Sequence, residues 1–140
     1  MSTLCSPFKE GQQKPLVLTI EGNIGVGKTT FLKLIKEKLQ LDFEVIDEPV
    51  DVWQNIKQGD SNLLDLFYKE PKRWGFTFQT YAFMSRLRHW RNLINRKSGT
   101  SEERKVFISE RSMMSDKKVF AQNCYENGYM NDAEMGIYQE

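Results

Sequence analysis

Residues 22–29, GNIGVGKT, have the spacing of a phosphate-binding loop. Glycines let successive backbone N–H groups converge on phosphate oxygens, and a helix that begins there adds its positive dipole end. Lys28 would reach the terminal phosphates of a nucleotide, and the Thr29 hydroxyl would bind Mg²⁺. A chance match in a glycine-rich turn is the alternative, but the motif lies between a predicted strand and a predicted helix, as its mechanism requires. The predicted nucleotide-binding residues are Gly22, Asn23, Ile24, Gly25, Val26, Gly27, Lys28, Thr29 and Thr30.

Two acidic residues come directly after predicted strands. Glu48 follows the apolar segment 43–46, and Glu110 follows the segment 106–108. Ligands of open α/β sheets bind outside the carboxyl ends of the strands, so both carboxylates should face the phosphate-binding loop. There they can orient or deprotonate an attacking hydroxyl, or help to hold Mg²⁺; a surface ion pair is the alternative. Arg111, next to Glu110, suits a transferring phosphate or the orientation of Glu48.

Residues 73–96 predict a long amphipathic helix. Gln79 and Arg86 lie seven residues apart, so they project from the same side of that helix, with the small Ala82 between them. An amide at such a position can form paired hydrogen bonds with the edge of a base, although satisfaction by neighbouring residues is the commoner arrangement. Apolar residues at steps of three and four predict one buried stripe, formed by Phe76, Thr80, Phe83, Leu87, Trp90 and Ile94.

The elements that position these residues predict an α/β fold. The apolar run 16–20 is typical of a strand covered on both faces, as in parallel sheets. With the glycine-rich turn, the following helix and the strand at 43–46, it forms a βαβ unit. We therefore predict a parallel sheet of the P-loop NTPase type, flanked by helices. Because three strands leave an exposed edge and the sequence ends within a helical pattern, we expect the sheet to be incomplete at its C-terminus.

Composition favours a binding site over a charged surface. The 140 residues carry a net charge of +1, which gives no bulk field to attract nucleic acid or lipid. No segment approaches the ~20 apolar residues of a membrane span. Residues 1–14 are predicted to be a flexible leader without a secretory signal, and residues 15–140 to be part of one domain. Cys5 and Cys124 lack metal-ligand spacing; free thiols in the cytoplasm are the favoured reading, and one disulfide is the alternative.

Several segments together resemble the deoxynucleoside kinase family, which includes deoxycytidine, deoxyguanosine and insect deoxynucleoside kinases. The resemblance extends from about Leu16 to the end of the sequence. It rests on EGNIGVGKTT at residues 21–30, EPV at 48–50 with Trp53, residues 62–89, ERS at 110–112 with Ser115 and Asp116, and residues 120–139.

The resemblance implies that the γ-phosphate of ATP is transferred, with Mg²⁺, to the 5′-hydroxyl of a deoxynucleoside. Glu48 would be the general base, held in place by Arg111, with Lys28 at the phosphates. Glu110 and Thr29 would serve the metal site. A homodimer, formed through helices that include the one at 73–96, is implied for the complete enzyme.

Substrate-binding residues are implied in the same way. Gln79 would read the base, and Tyr68 would hydrogen-bond the 3′-hydroxyl of the sugar. Family members that accept thymidine have an apolar pocket beyond the base, whereas those that prefer deoxycytidine and deoxypurines have an arginine and an aspartate, which correspond to Arg86 and Asp116. Thymidine is therefore the less favoured substrate. The implied set, with Trp53 and Phe120 as walls around the base, is Glu48, Trp53, Tyr68, Gln79, Arg86, Arg111, Asp116 and Phe120.

Two alternatives remain at this point. Family chains continue beyond this C-terminus with an arginine-rich lid, and such arginines are worth ~10³-fold or more in phosphoryl transfer. We therefore expect this chain alone to be inactive, and a fragment that binds nucleotide or a full-length partner is one alternative. Another P-loop kinase, such as a nucleoside monophosphate kinase, is the other, whereas the absence of an N-K-x-D guanine motif disfavours a GTPase.

Overall fold

The computed structural model describes residues 15–38, 43–97 and 105–140. The predicted leader at 1–14 and Cys5 lie outside the described residues. The elements in chain order are β1 (Leu16–Ile20), α1 (Lys28–Lys38), β2 (Glu44–Ile46), α2 (Val50–Asn55), β3 (Lys57–Gln58), β4 (Ser61–Asn62), α3 (Leu63–Lys69), α4 (Pro71–Lys97), β5 (Val106–Glu110), α5 (Met113–Ser115), a π-helical segment (Asp116–Ala121), α6 (Gln122–Glu126) and α7 (Asp132–Gln139).

A parallel three-stranded sheet forms the centre of the fold, in the order β1-β5-β2. β5 pairs with both neighbours, Ile20 opposite Glu110 and Ile46 opposite Ser109. The carboxyl ends of all three strands therefore meet at one edge of the sheet. The predicted α/β class with a helix-flanked parallel sheet is confirmed, with the third strand placed between the first two.

Burial differs between the central strand and its neighbours. Phe107 and Ser109 of β5 are fully buried, whereas Leu18 of β1 is 46% exposed. The expectation that β1 is covered on both faces is thus wrong for the described residues. β1 is an edge strand of the described sheet with β5 on one side only, so its side chains are covered less completely.

Helix α4 is the longest element and forms one wall of the site. It begins with Pro71, which suits the first helical position because no backbone N–H is needed there. The predicted buried stripe is wrong, since Leu87 is 43% exposed. α4 turns a mixed polar and apolar face inward toward the strand ends, so burial does not follow hydrophobicity alone. Its buried residues within 71–93 are Gly75, Phe78, Gln79, Ala82, Ser85 and Arg86.

An aromatic core joins α2, α3 and α4. Trp53 meets Phe78 edge-on, with ring centroids 5.5 Å apart, and Phe67 stacks on Phe78 at 4.7 Å. Trp74 is half-buried against this cluster. None of the helices in the described ranges is long and apolar enough to cross a membrane.

The chain after β5 is less regular than its sequence pattern predicts. Its sequence pattern predicts helical residues from Ser112 towards Asn127 and a turn at Asn127 and Gly128. A π-helical segment, Asp116–Ala121, instead separates α5 from α6. Gly128, with a φ of 68°, follows the end of α6 at the predicted turn. Asn131 then caps α7 in a reciprocal arrangement with Glu134.

Candidate active site

The loop between β1 and α1 has the backbone that a phosphate cradle requires. Gly25 and Gly27 have φ values of 75° and 91°, a region that residues with a Cβ seldom adopt. The side chain of Asn23 accepts a hydrogen bond from the Ile24 amide at 2.8 Å, which fixes the first turn of the loop. The N-terminus of α1 therefore points its free amides into the loop.

Two side chains at the start of α1 add a cation and a hydroxyl. Lys28 is buried, and its Nζ donates to the carbonyl of Asn23 at 2.7 Å, so the ammonium lies over the loop. The Thr29 hydroxyl donates to Oε2 of Glu110 at 2.8 Å. A hydroxyl and a carboxylate are oxygen ligands that suit Mg²⁺. No group of three or more His, Cys, Asp or Glu residues within the described ranges could hold a metal ion, so phosphate oxygens and water would complete the coordination.

Glu48 lies at the end of β2 between two arginines. Nη2 of Arg86 is 2.7 Å from Oε1 of Glu48, and Nε of Arg111 is 3.5 Å from the same oxygen. The predicted contact with Arg111 is therefore present, but Arg86 makes the shorter contact. The contact of Arg86 with Glu48 did not follow from the sequence, because the two residues are 38 positions apart and no local pattern connects them.

Arg86 connects three elements through one buried guanidinium. It contacts Asp116 with Nε at 2.6 Å and Nη2 at 3.2 Å, and Nη1 donates to the Glu110 carbonyl at 3.0 Å. Burial opposes the charged form, but the two carboxylates outweigh it and raise the pKa of Arg86 further. Burial also raises the pKa of Asp116, although the guanidinium beside it favours the carboxylate. The residues assigned to the base pocket and to proton transfer thus share one charge network.

Arg111 has a backbone conformation that is rare for a residue with a side chain. Its φ is 67°, and such strain persists where the surroundings impose it. The Arg111 amide donates to the carbonyl of Ile20 at 3.1 Å. The Ser109 hydroxyl donates to the Arg111 carbonyl at 3.0 Å and accepts from Nε1 of Trp90 at 3.1 Å. The guanidinium lies 4.6 Å from the ring centroid of Phe120, a cation–π contact.

One cavity of about 860 Å³ adjoins the loop, the strand ends and α4. Gln79 is buried in its wall and donates from Nε2 to Sγ of Cys124 at 3.4 Å. Trp53 is fixed by a hydrogen bond from Nε1 to Oγ of Ser85 at 2.8 Å. Of the predicted site residues, only Gly22 and Val26 do not line the cavity. Those that do are Asn23, Ile24, Gly25, Gly27, Lys28, Thr29, Thr30, Glu48, Trp53, Tyr68, Gln79, Arg86, Glu110, Arg111, Asp116 and Phe120.

Some residues of the site were missed in the sequence. Cys124 is free and buried, and burial raises the pKa of its thiol. Its position beside Gln79, 45 residues away, has no local signal. Glu21 was missed as well, although it directly follows β1, and the argument applied to Glu48 and Glu110 would have found it. Its carboxylate accepts hydrogen bonds from the Ser112 amide at 2.9 Å and from the Ser115 hydroxyl.

Comparison with known proteins adds independent information. The family model described as "Deoxynucleoside kinase" matches residues 18–140. Human deoxycytidine kinase is 40% identical over 136 residues, which cover 88% of this chain and 52% of the human protein. Chicken deoxycytidine kinase 2 is 39% identical, covering 98% and 55% of the two chains. A mitochondrial deoxyguanosine kinase of Xenopus laevis is also 39% identical, covering 100% and 56%. The chain spans about half the length of these curated relatives.

Proposed function

Because the chain belongs to the deoxynucleoside kinase family, we propose that it forms the phosphate-binding loop and the acceptor pocket of an enzyme that phosphorylates deoxynucleosides with ATP. The observation that carries the proposal is the shared cavity. Lys28 of the loop, Glu48 at a strand end and Gln79 of α4 line the same cavity. A triphosphate on the loop and a nucleoside against α4 would therefore meet at Glu48.

Glu48 is the proposed general base for the 5′-hydroxyl. Both arginine contacts in the described structure are made to Oε1. Oε2 is then the oxygen that accepts the proton while the hydroxyl oxygen attacks the γ-phosphorus; the bond from that phosphorus to the β–γ bridging oxygen breaks, and ADP leaves. Arg86 and Arg111 restrict the carboxylate to one orientation, and such positioning accounts for much of the catalysis in phosphoryl transfer. The Arg111 guanidinium also supplies positive charge where the transferred group passes.

Thr29 and Glu110 are the proposed residues for Mg²⁺. Their side-chain oxygens are 2.8 Å apart and lie at the first turn of α1, where Thr29 follows Lys28. When bound, the ion neutralises charge on the phosphates during transfer. Glu110 is also the last residue of β5, so its position is set by the central strand of the sheet.

We propose deoxycytidine or a deoxypurine as the preferred acceptor over thymidine. Arg86 and Asp116 form a buried polar pair in the cavity wall. Hydrogen-bonding groups on a base can use that pair, whereas the methyl group of thymine would desolvate it without compensation. The names of the relatives, deoxycytidine kinase and deoxyguanosine kinase, agree with this preference.

Transfer of labelled γ-phosphate tests the proposal. The acceptors are deoxycytidine, deoxyguanosine and thymidine, with deoxycytidine monophosphate included to detect a monophosphate kinase. Lys28→Ala should abolish transfer, whereas Lys33→Ala, a matched change at an exposed lysine of α1, should leave it unchanged. Transfer to the monophosphate alone, or equal loss in both variants, would contradict the proposal.

A second candidate function is a nucleotide-binding subunit without turnover. It is favoured by the chain spanning about half the length of its relatives. Calorimetry with ATP and deoxycytidine separates the two functions, because a binding subunit gives heats of binding that Lys28→Ala removes but no labelled product. Mixing the chain with a full-length relative then tests for a change in that enzyme's mass or rate.

For the assembled enzyme we propose a homodimer in the cytoplasm. Exposed Met84 and Leu87 on α4 provide apolar surface for a second copy. Light scattering of the protein and of Leu87→Glu tests the dimer, which this variant should weaken. The Xenopus relative is named as mitochondrial, so cell fractionation is the direct test of location.

A further inference from the structure

Arg111 is held by its neighbours in a conformation that it would not adopt alone. With φ at 67°, its backbone lies in the left-handed region, which costs of the order of 1 kcal/mol or more for an ordinary residue. Its amide and carbonyl are tied to Ile20 and Ser109. The Arg111–Ser112 peptide is thus held at its carbonyl by Ser109. Its other polar group, the Ser112 amide, needs a separate acceptor.

Glu21 supplies that restraint from the end of β1. Its Oε1 accepts from the Ser112 amide at 2.9 Å, and its Oε2 accepts from the Ser115 hydroxyl. Its two chain neighbours also bind Arg111: the Ile20 carbonyl accepts from the Arg111 amide, and the Gly22 carbonyl accepts from Nη1 at 3.1 Å. Three consecutive residues at the start of the phosphate-binding loop therefore hold Arg111 and the peptide after it.

The pKa of the Glu21 carboxyl reflects its hydrogen bonds. Burial disfavours its charged form, but the hydrogen bonds from Ser112 and Ser115 outweigh burial and lower the pKa of this carboxyl. Arg111 contributes in the same direction. The carboxylate is thus ionised when it accepts these bonds, and hydrogen bonds to a charged acceptor are stronger than neutral ones.

We propose that Glu21 is a positioning residue for Arg111. By fixing the peptide between Arg111 and Ser112, it keeps the guanidinium beside Glu48 and over Phe120. Without this acceptor the Arg111–Ser112 peptide is held at its carbonyl alone, so the backbone at Arg111 leaves its left-handed conformation more readily and the guanidinium contacts Glu48 for less of the time. The inference rests on the proposed function only in assigning Arg111 and Glu48 to phosphate transfer. The alternative is that Glu21 only caps the short helix α5 and has no effect on the site.

Two substitutions at Glu21 distinguish positioning from charge. Glu21→Ala removes both acceptors, whereas Glu21→Gln keeps an oxygen for the Ser112 amide and a polar group for Ser115. Glu126→Ala is the matched control, since Glu126 is exposed and accepts a hydrogen bond from Gln122 within α6. For positioning, kcat for deoxycytidine should fall about 10-fold or more in Glu21→Ala, while the KM for ATP changes little. Glu21→Gln should recover most of that loss, and Glu126→Ala should show none.

Three kinetic outcomes would overturn the inference. An unchanged kcat in Glu21→Ala would reduce Glu21 to a helix cap. A glutamine variant as impaired as the alanine variant would assign the effect to charge. A raised KM for ATP at constant kcat would place the effect in the phosphate-binding loop instead of at Arg111.

Hydrogen exchange tests whether Glu21 restrains the Ser112 amide, and it does not require turnover. In the ligand-free protein, the Ser112 amide should exchange about 10-fold faster or more in Glu21→Ala, with α4 as the internal reference for folding. Unaltered exchange at Ser112 overturns the inference, and so does equal acceleration throughout α4. If the unaltered protein transfers no phosphate, the second candidate function, nucleotide binding without turnover, applies, and exchange at Ser112 still decides the role of Glu21.

Discussion

Replacing Asp116 by alanine should destabilise the protein more than replacing Asp116 and Arg86 together. The two side chains are 5% and 3% exposed, and they meet through two contacts, the shorter at 2.6 Å. Asp116→Ala removes one of the two carboxylates that contact the buried Arg86 guanidinium. Arg86→Met combined with Asp116→Ala removes both charges and fills part of the space with an apolar side chain.

The structure sets the size of the effect. Removing one partner of a buried ion pair costs about 3–5 kcal/mol when the other is left uncompensated. Arg86 would still contact Glu48 at 2.7 Å and the Glu110 carbonyl at 3.0 Å. We therefore expect a smaller loss, about 2–3 kcal/mol, for Asp116→Ala. The double variant should lose about 1 kcal/mol or less, since replacing a buried pair by apolar groups is often nearly neutral.

Urea denaturation at pH 7, followed by tryptophan fluorescence, gives the free energies of unfolding for this cycle. Asp60→Ala, a change at an exposed turn residue, is the matched control and should stay within about 0.5 kcal/mol of the unaltered protein. A double variant at least as destabilised as Asp116→Ala would refute the reasoning. The same double variant should raise the ratio of thymidine to deoxycytidine turnover, but with a lower kcat, because Glu48 loses its shorter arginine contact.

Four further predictions concern Thr29, two helical glycines and the pH dependence of Glu21. Thr29→Val should raise the Mg²⁺ concentration needed for half-maximal ATP binding about 10-fold, as followed by calorimetry; an unchanged requirement would remove Thr29 from the metal site. Gly75→Ala should destabilise by about 1–3 kcal/mol in urea, because its Cβ would lie 2.8 Å from the Tyr129 carbonyl oxygen. Gly136→Ala, where the space is open, should instead stabilise by about 0.5–1 kcal/mol. The pKa of Glu21 is lower in the folded protein than its ordinary value of 4.5. The ionised carboxylate therefore stabilises the fold above pH 4.5, and this stabilisation is lost as the pH falls through the lower pKa of the folded protein. The difference in stability between the unaltered protein and Glu21→Gln, measured by urea denaturation, should thus shrink in acid.

The three strands of the parallel sheet, the loop and most of the residues that line the cavity could be predicted from the sequence. Each depends on local information: β1 on an apolar run, the loop on glycines at required spacing, and Glu48 and Glu110 on their positions after strands. Parallel pairing then brings strand ends to one edge, which is why residues 62 positions apart, such as Glu48 and Glu110, line one cavity.

The errors have one common cause, because they concern contacts between elements. The sequence predicts that the apolar stripe of α4 is buried, but Gln79 and Arg86 are buried instead. Cys124 of α6 accepts a hydrogen bond from Gln79, and the Glu110 carbonyl and Asp116 accept from Arg86. The Arg86–Glu48 contact joins residues far apart in the chain, and no local sequence pattern in either segment indicates it. The left-handed backbone of Arg111 is equally hidden, since only its tertiary partners impose it.

The π-helical segment has a consequence for how the cavity wall responds to changes in chain length. Asp116, Phe120 and Cys124 are four residues apart and all line the cavity. In a regular α-helix each such step advances by roughly 40° around the axis, or about 80° over both steps. The wider π turn between Asp116 and Ala121 removes part of that advance and keeps the three side chains closer to one line. A one-residue deletion in this segment would rotate Cys124 relative to Asp116 and separate the residue beside Gln79 from the residue beside Arg86. Single-residue deletions across residues 116–121 should therefore disturb the arrangement of side chains in the cavity wall more than conservative substitutions at the same positions.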